Sequence, residues 1–255
     1  MRTRALALVC GFLLVGGSLA ACASLDPRPR ATEQREIEDV AVIELATPGS
    51  LDITLGSTPS LTVTAGEQII DRLTADVDSG VLRLGAKGAH LDYFGEIRYE
   101  LVVTAVSSLR VLGSGDARVD LTGTADPDIV VKGSGSVDAS GVDAESATLT
   151  VDGSGEITID DAKAEQLTVS IDGPGTVRVT GDVVRQQVEL RGPGEYAASA
   201  LESVDARISV RGSGEASVAV SGSLDALIDG SGEISYSGDA QVTKDISGSG
   251  ELLRD

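Results

Sequence analysis

Large rings are nearly missing from this chain: no Trp, two Phe and four Tyr among 255 residues. That leaves little for a core of stacked aromatics, or for the basic and aromatic cleft on which polysaccharide lyases depend. Histidine occurs once, as His90 in a Gly/Ala/Leu context, without a partner at metal-ligand spacing. Cysteine occurs twice, as Cys10 and Cys22, and both fall in the first 22 residues. Basic side chains are half as numerous as acidic ones, 20 against 40, for a net charge of −20. A surplus of that sign disfavours charge-driven binding to nucleic acid or to anionic lipid. No Ser has the strand-turn-helix setting of a nucleophile elbow. The Gly-Ser-Gly steps are followed by strand-like sequence, so they lack the helix N-terminus that a phosphate cradle needs. A catalytic cluster is therefore absent from the sequence reading, and the expectation is a protein that is not an enzyme.

Glycine, in contrast, is abundant and placed. Eight Gly-x-Gly triplets begin at Gly113, Gly133, Gly153, Gly173, Gly192, Gly212, Gly230 and Gly248, at intervals of 20, 20, 20, 19, 20, 18 and 18 residues. The middle residue is Ser in six and Pro in two, Pro174 and Pro193. Apolar residues alternate with polar ones on both sides of each triplet, as in Leu167, Val169, Ile171 and then Val177, Val179. This period of two is that of a half-buried strand. A flexible Gly/Ser linker would not hold Val and Ile at fixed parity, and a sandwich or barrel would not need glycines at a near-constant offset. One copy reads as two short strands around a glycine hinge followed by a turn, such as Asp161 to Glu165. A unit with so small an apolar face closes its core only by stacking, with parallel strands about 4.8 Å apart. The expectation is an all-β parallel β-helix-like solenoid of 18–20-residue rungs. Val151, Val169 and Val210 point inward, Thr168 and Ser170 outward, and the glycines stand where a side chain would collide.

The ends read differently. Residues 1–21 have a basic start at Arg2 and Arg4, then an 11-residue apolar stretch too short to span a bilayer. Leu19-Ala20-Ala21-Cys22 resembles a bacterial lipobox. That resemblance implies a diacylglycerol on Cys22 and a mature chain beginning there, anchored to the cell or outer membrane. Two acyl chains suffice for stable anchoring. The mature chain would hold 18 basic against 40 acidic side chains, a net −22, with one cysteine and hence no intrachain disulfide. Residues 22–34 read as a tether, and residues 35–112 as an N-terminal β region that caps the first rung. Residues 113–255 read as the repeat solenoid, 35–255 forming one continuous domain. Gln68 to Leu73 has room for one helical turn.

The recurring Ser-Gly-Ser-Gly and Asp-Gly-Ser-Gly-Glu blocks resemble the bacterial family called putative auto-transporter adhesin, head GIN domain. So do Leu51-Asp52-Ile53-Thr54-Leu55, Gly238-Asp239-Ala240 and Ile246-Ser247-Gly248-Ser249-Gly250. The resemblance covers residues 35–255. It implies a β-helix-like solenoid, often carried on lipoproteins, and transfers no catalytic residue. The two Pro triplets depart from the usual Ser.

One chemical pattern remains. The residues after the triplets are Asp116, Ser136, Glu156, Thr176, Glu195, Glu215, Glu233 and Glu251. Stacking would make them a column of carboxylates, and Glu156, Glu195, Glu215, Glu233 and Glu251 are the candidates for weak binding of Ca²⁺ or for charge-dependent contacts. A second column holds Asp152, Asp172 and Asp229 with Lys132, Arg191 and Arg211. The same acids also serve as a solvated edge, partly neutralised by Arg191 and Arg211, that discourages strand pairing. Three functions compete: a lipid-anchored, adhesin-like module for an unknown protein or glycan; a structural or envelope-stress lipoprotein acting through envelope partners; and a carbohydrate-active enzyme, which the missing titratable cluster disfavours.

Overall fold

Alternation of apolar and polar residues yields strands almost everywhere in the computed structural model, which describes residues 29–88 and 95–255. The signal segment, Cys10, Cys22, residues 22–28 and His90 lie outside the described residues. The strands are β1 (Arg30–Arg35), β2 (Val42–Leu45), β3 (Ser50–Leu55), β4 (Ser60–Gly66), β5 (Leu73–Asp78), β6 (Val81–Ala86), β7 (Arg98–Val103), β8 (Ser108–Gly113), β9 (Asp116–Asp120) and β10 (Asp128–Gly133). They continue as β11 (Ser136–Ser140), β12 (Asp143–Gly153), β13 (Glu156–Asp172), β14 (Thr176–Gly192), β15 (Glu195–Gly212), β16 (Glu215–Gly230), β17 (Glu233–Ser237), β18 (Gln241–Gly248) and β19 (Glu251–Arg254). One 3-10 turn, Ile70–Arg72, supplies the helical turn expected between Gln68 and Leu73. Residues 30–34, expected as the end of a tether, instead belong to β1, because they pair antiparallel with β4.

The solenoid expected from the triplets is present. Segments before the triplets stack in parallel as β6–β2–β8–β10–β12, then the C-terminal halves of β13 to β16, then β18. Segments after the triplets stack as β7–β3–β9–β11, then the N-terminal halves of β13 to β16, then β17 and β19. The spacer read as a turn is a third side. Lys163 pairs with Asp143 below and Asp182 above, and Asp182 pairs with Glu202. The corner into this side needs left-handed backbone at Gly141 (φ 70), Asp161 (φ 55) and Gly181 (φ 122). Asp tolerates that conformation better than most residues. This is why one copy of the corner escapes a glycine search.

The ladder also reaches upstream of the first triplet. The β2–β3 rung, turned by Pro48 and Gly49, lies between the β6–β7 rung and the β8–β9 rung. Beyond it β5 covers β6 and β4 covers β7, both antiparallel, so the capping N-terminal region is built from reversed strands. Arg35 fastens this cap by donating to the carbonyls of Leu73 at 2.7 Å and Ile70 at 2.9 Å. At the opposite end Lys244 and Arg254 stand in the inward columns that hold Ala226 and Tyr236 one level below. An inward charge on an edge strand hinders pairing with another chain.

Val151 and Val210 are fully buried and Val169 nearly so, while Thr168 and Ser170 face outward as expected. The core is mostly Val, Ile, Leu and Ala, with Gln186 as a buried amide and two large rings. Tyr99 and Tyr196 are fully buried. Tyr196 fits because Ala216 is its partner one rung above and Val177 its partner below.

The two glycines of a triplet do different things. Gly153 has φ 125, and a Cβ there would lie 2.5 Å from the carbonyl oxygen of Gly133. Gly155 is buried without a positive φ, and a Cβ there would lie 2.4 Å from Val131 Cγ1. The first glycine answers a backbone demand and the second a packing demand. The middle residue closes the corner, since the Ser154 amide donates to the Gly133 carbonyl at 2.8 Å.

Candidate functional site

Stacking brings the predicted carboxylates together. Asp116, Ser136, Glu156, Thr176, Glu195, Glu215, Glu233 and Glu251 occupy one column in strict register, and the last four form an uninterrupted series of Glu. Neutralisation differs from the expectation. Arg191 and Arg211 both pair with Glu189, not with this column. The column's cation is Arg178, which pairs with Glu156 and reaches Glu195 at 3.8 Å across the gap left by Thr176. All these groups are nearly half exposed, so each pair contributes at most about 1 kcal/mol. Among the described residues no group of three His, Cys, Asp or Glu side chains is arranged to hold a metal ion.

The outer surface is otherwise a set of straight columns, broken in one region. The interval from Gly173 to Gly192 is the 19-residue one, and both Pro corners flank it. Register shifts fall around it, between Ile159 and Ala162, between Arg178 and Gly181, between Ala198 and Glu202, and between Ser203 and Asp205. The interior is irregular there too. Gln186 takes the inward column that Leu167, Ala206 and Leu224 occupy on neighbouring rungs. Both polar atoms of its amide have partners: Tyr196 Oη donates to Gln186 Oε1 at 2.9 Å, and Gln186 Nε2 donates to Ser203 Oγ at 2.7 Å. Ser203 Oγ then donates to the Ala219 carbonyl at 2.8 Å. Burial pushes the Tyr196 phenol far above its ordinary value.

Two grooves of about 380 Å³ each lie over this network. The first runs where the third side meets the side preceding the triplets, with Gln186 and Ala206 as its floor. One wall is Gln166, Arg185, Asp205 and Ser223, and the other includes Gln187, Arg207 and Asp225. Asp205 accepts a 2.6 Å hydrogen bond from Ser223, and Arg207 lies 3.6 Å from Asp225. Gln166, Arg185 and Gln187 make no side-chain hydrogen bond or ion pair among the described residues. The second groove carries Lys163, Asp182 and Glu202 beside Val184 and Val204, which are 42% and 46% exposed on adjacent rungs. A third groove, of about 400 Å³ on the opposite flank, holds Asp52, Asp120, Asp138 and Asp160 around Arg118. Arg118 lies 3.8 Å from Asp52 and 3.6 Å from Asp138, while hydrogen bonds from Thr122 hold the Asp120 carboxyl below the usual range. Sequence reasoning singled out none of these groove residues as a candidate site, and Asp52 entered only through the family resemblance. The available signal was Gln186, an amide at a position where parity calls for an apolar residue, next to the Pro corners.

Residues 41–240 match the family described as putative auto-transporter adhesin, head GIN domain. The chain belongs to that family. Among solved structures it is similar to a putative lipid binding protein from Parabacteroides distasonis, with 26% identity, a TM-score of 0.81, and coverage of 89% of this chain and 96% of that one. It shares its fold with a putative adhesin from Parabacteroides merdae, at 22% identity, a TM-score of 0.81, and coverage of 90% and 97%. The same holds for a putative adhesin from Parabacteroides distasonis, at 22% identity, a TM-score of 0.79, and coverage of 89% and 98%. No curated protein matches the chain. The head GIN domain membership agrees with a surface or extracellular setting, and no helix among the described residues is long and apolar enough to cross a membrane.

Proposed function

We propose that this head GIN domain protein is a lipid-anchored, non-catalytic binding module of the cell envelope. Acylation at Cys22 holds it to the membrane, and the solenoid presents its outer columns to a protein or glycan. The observation that carries the reading is the uneven surface of an even rod. Two core columns, from Ile43 to Ala226 and from Leu45 to Ile246, run without a polar residue, while the outward residues of the rungs between Lys163 and Asp225 are re-spaced into grooves. Solenoids suit such a role because the ladder is fixed while exposed positions vary freely. The acidic column keeps the rod soluble and contributes charge to contacts. Labelled fatty acid should enter the wild-type protein and not Cys22→Ala, which should accumulate as uncut precursor. Immobilised residues 30–255 should then retain a discrete component from host matrix or glycan fractions. Unacylated protein released to the medium would refute the anchor. Selective retention of envelope proteins alone would favour an envelope-structural role.

A further inference from the structure

The groove floored by Gln186 and Ala206 carries donors without a protein partner in a molecule where acids outnumber bases two to one. Arg185 is the central one. Asp205, its neighbour one rung above, accepts from Ser223, and Asp225 on the facing wall is paired with Arg207. Gln166 is the neighbour of Arg185 one rung below, and Gln187 stands two residues along the same strand, both with free amides. A guanidinium fork matches a planar carboxylate, and side-chain amides both donate to and accept from hydroxyls. We infer that this groove binds an acidic saccharide, with the carboxylate of a uronic-acid-type sugar on Arg185 and its hydroxyls on Gln166 and Gln187. The proposal rests on the binding-module reading and names the ligand class for it.

Three further observations favour a sugar over an acidic peptide. The walls supply polar groups and no apolar pocket for a peptide side chain. The groove has no sheet edge to pair with a peptide backbone, because every strand lining it is paired on both sides. Its polar positions repeat at the rung spacing of about 4.8 Å, close to the length of one sugar ring, so a chain lying along the axis meets one rung per residue. Beneath them the hydrogen-bonded Gln186–Tyr196–Ser203 network fixes the floor, so little ordering is needed on binding. The absence of an aromatic platform makes the site dependent on charge and therefore on salt.

Residues 30–255 are titrated by calorimetry with tetragalacturonate, with a neutral galactose tetramer and with tetraglutamate. Tetragalacturonate alone should bind, at least tenfold more tightly than the other two, and Arg185→Gln should weaken it at least tenfold while leaving the melting temperature unchanged. Arg83→Gln, in the N-terminal rungs and paired with Glu44, should bind as wild type does. Equal binding by Arg185→Gln, or equal binding of tetraglutamate, would overturn the proposal. Binding of the neutral tetramer alone would overturn the acidic-sugar assignment while upholding the binding module. Failure of all three probes, in a protein that still retains a matrix component, would do the same. Failure of all three probes and of every matrix fraction would remove both readings.

Discussion

The rungs up to Gly153 and those from Gly173 to Gly212 share inward columns but close their corners differently. In the first region the Ser134 and Ser154 amides donate to the glycine carbonyl of the rung below at 2.8 Å. A Cβ at Gly133 or Gly153 would come within 2.5 Å of that oxygen. In the second region Pro174 and Pro193 have no N–H to donate, and a Cβ at Gly192 would find its nearest neighbours 3.6 Å away. The loosened corner coincides with the 19-residue interval, the register shifts, the buried amide and the grooves. The 20-residue rungs up to Gly153 have tight corners, and the 19-residue rung ends at the open one, Gly192. Tightness alone does not set rung length, since the 18-residue rungs end at Gly230 and Gly248 with a Cβ only 2.3 Å from the carbonyl below. The open corner is where the outer residues are re-spaced without loss of the core.

The largest expected effect lies in the column common to both regions. Val151 is fully buried, so Val151→Asp places an unpaired charge in the core and should cost about 4 kcal/mol or more, read from urea unfolding. The next test concerns the amide peculiar to the second region. Gln186→Leu would leave Tyr196 Oη and Ser203 Oγ without their side-chain partners and should cost about 2 kcal/mol. Adding Tyr196→Phe should restore roughly 1 kcal/mol, since one orphaned group is removed with its partner.

Alkaline pH probes the same network. Burial raises the folded-state pKa of Tyr196, and in the same direction that of Tyr99, so neutral tyrosine is favoured by folding. This contribution is fully present below the unfolded value of about 10 and is lost as pH rises above it, at about 1.4 kcal/mol per pH unit for each tyrosine. Stability should fall above that pH, and less steeply in Tyr196→Phe. The smallest effect is expected on the outer face: Thr168→Asp should shift stability by no more than about 0.5 kcal/mol. A loss comparable to that of Val151→Asp would mean the register is wrong.

Period and parity made the ladder legible, because a stacked repeat must place the same residue type at the same position in every rung. The column from Asp116 to Glu251 followed from that alone. The third side was not legible. Its corner is turned by Gly141, Asp161 and Gly181, three residues of two types, and its strand is short enough to resemble a loop. The inward tyrosines escaped for a related reason: Tyr196 is admitted by Ala216 on the next rung, a pairing invisible without the register. The groove donors were hidden because Arg185 and Gln187 stand at outward positions, where parity accepts any polar residue.

The comparison rests on corner closure, and paired substitutions measure it directly. Gly153→Ala and Gly192→Ala both force a Cβ onto a positive φ, 125° and 102°, but only the first drives it into backbone, at 2.5 Å against 3.6 Å. Denaturant unfolding should show a loss of about 3 kcal/mol for Gly153→Ala and about 1 kcal/mol for Gly192→Ala. Equal losses, or a greater loss at Gly192, would contradict the account.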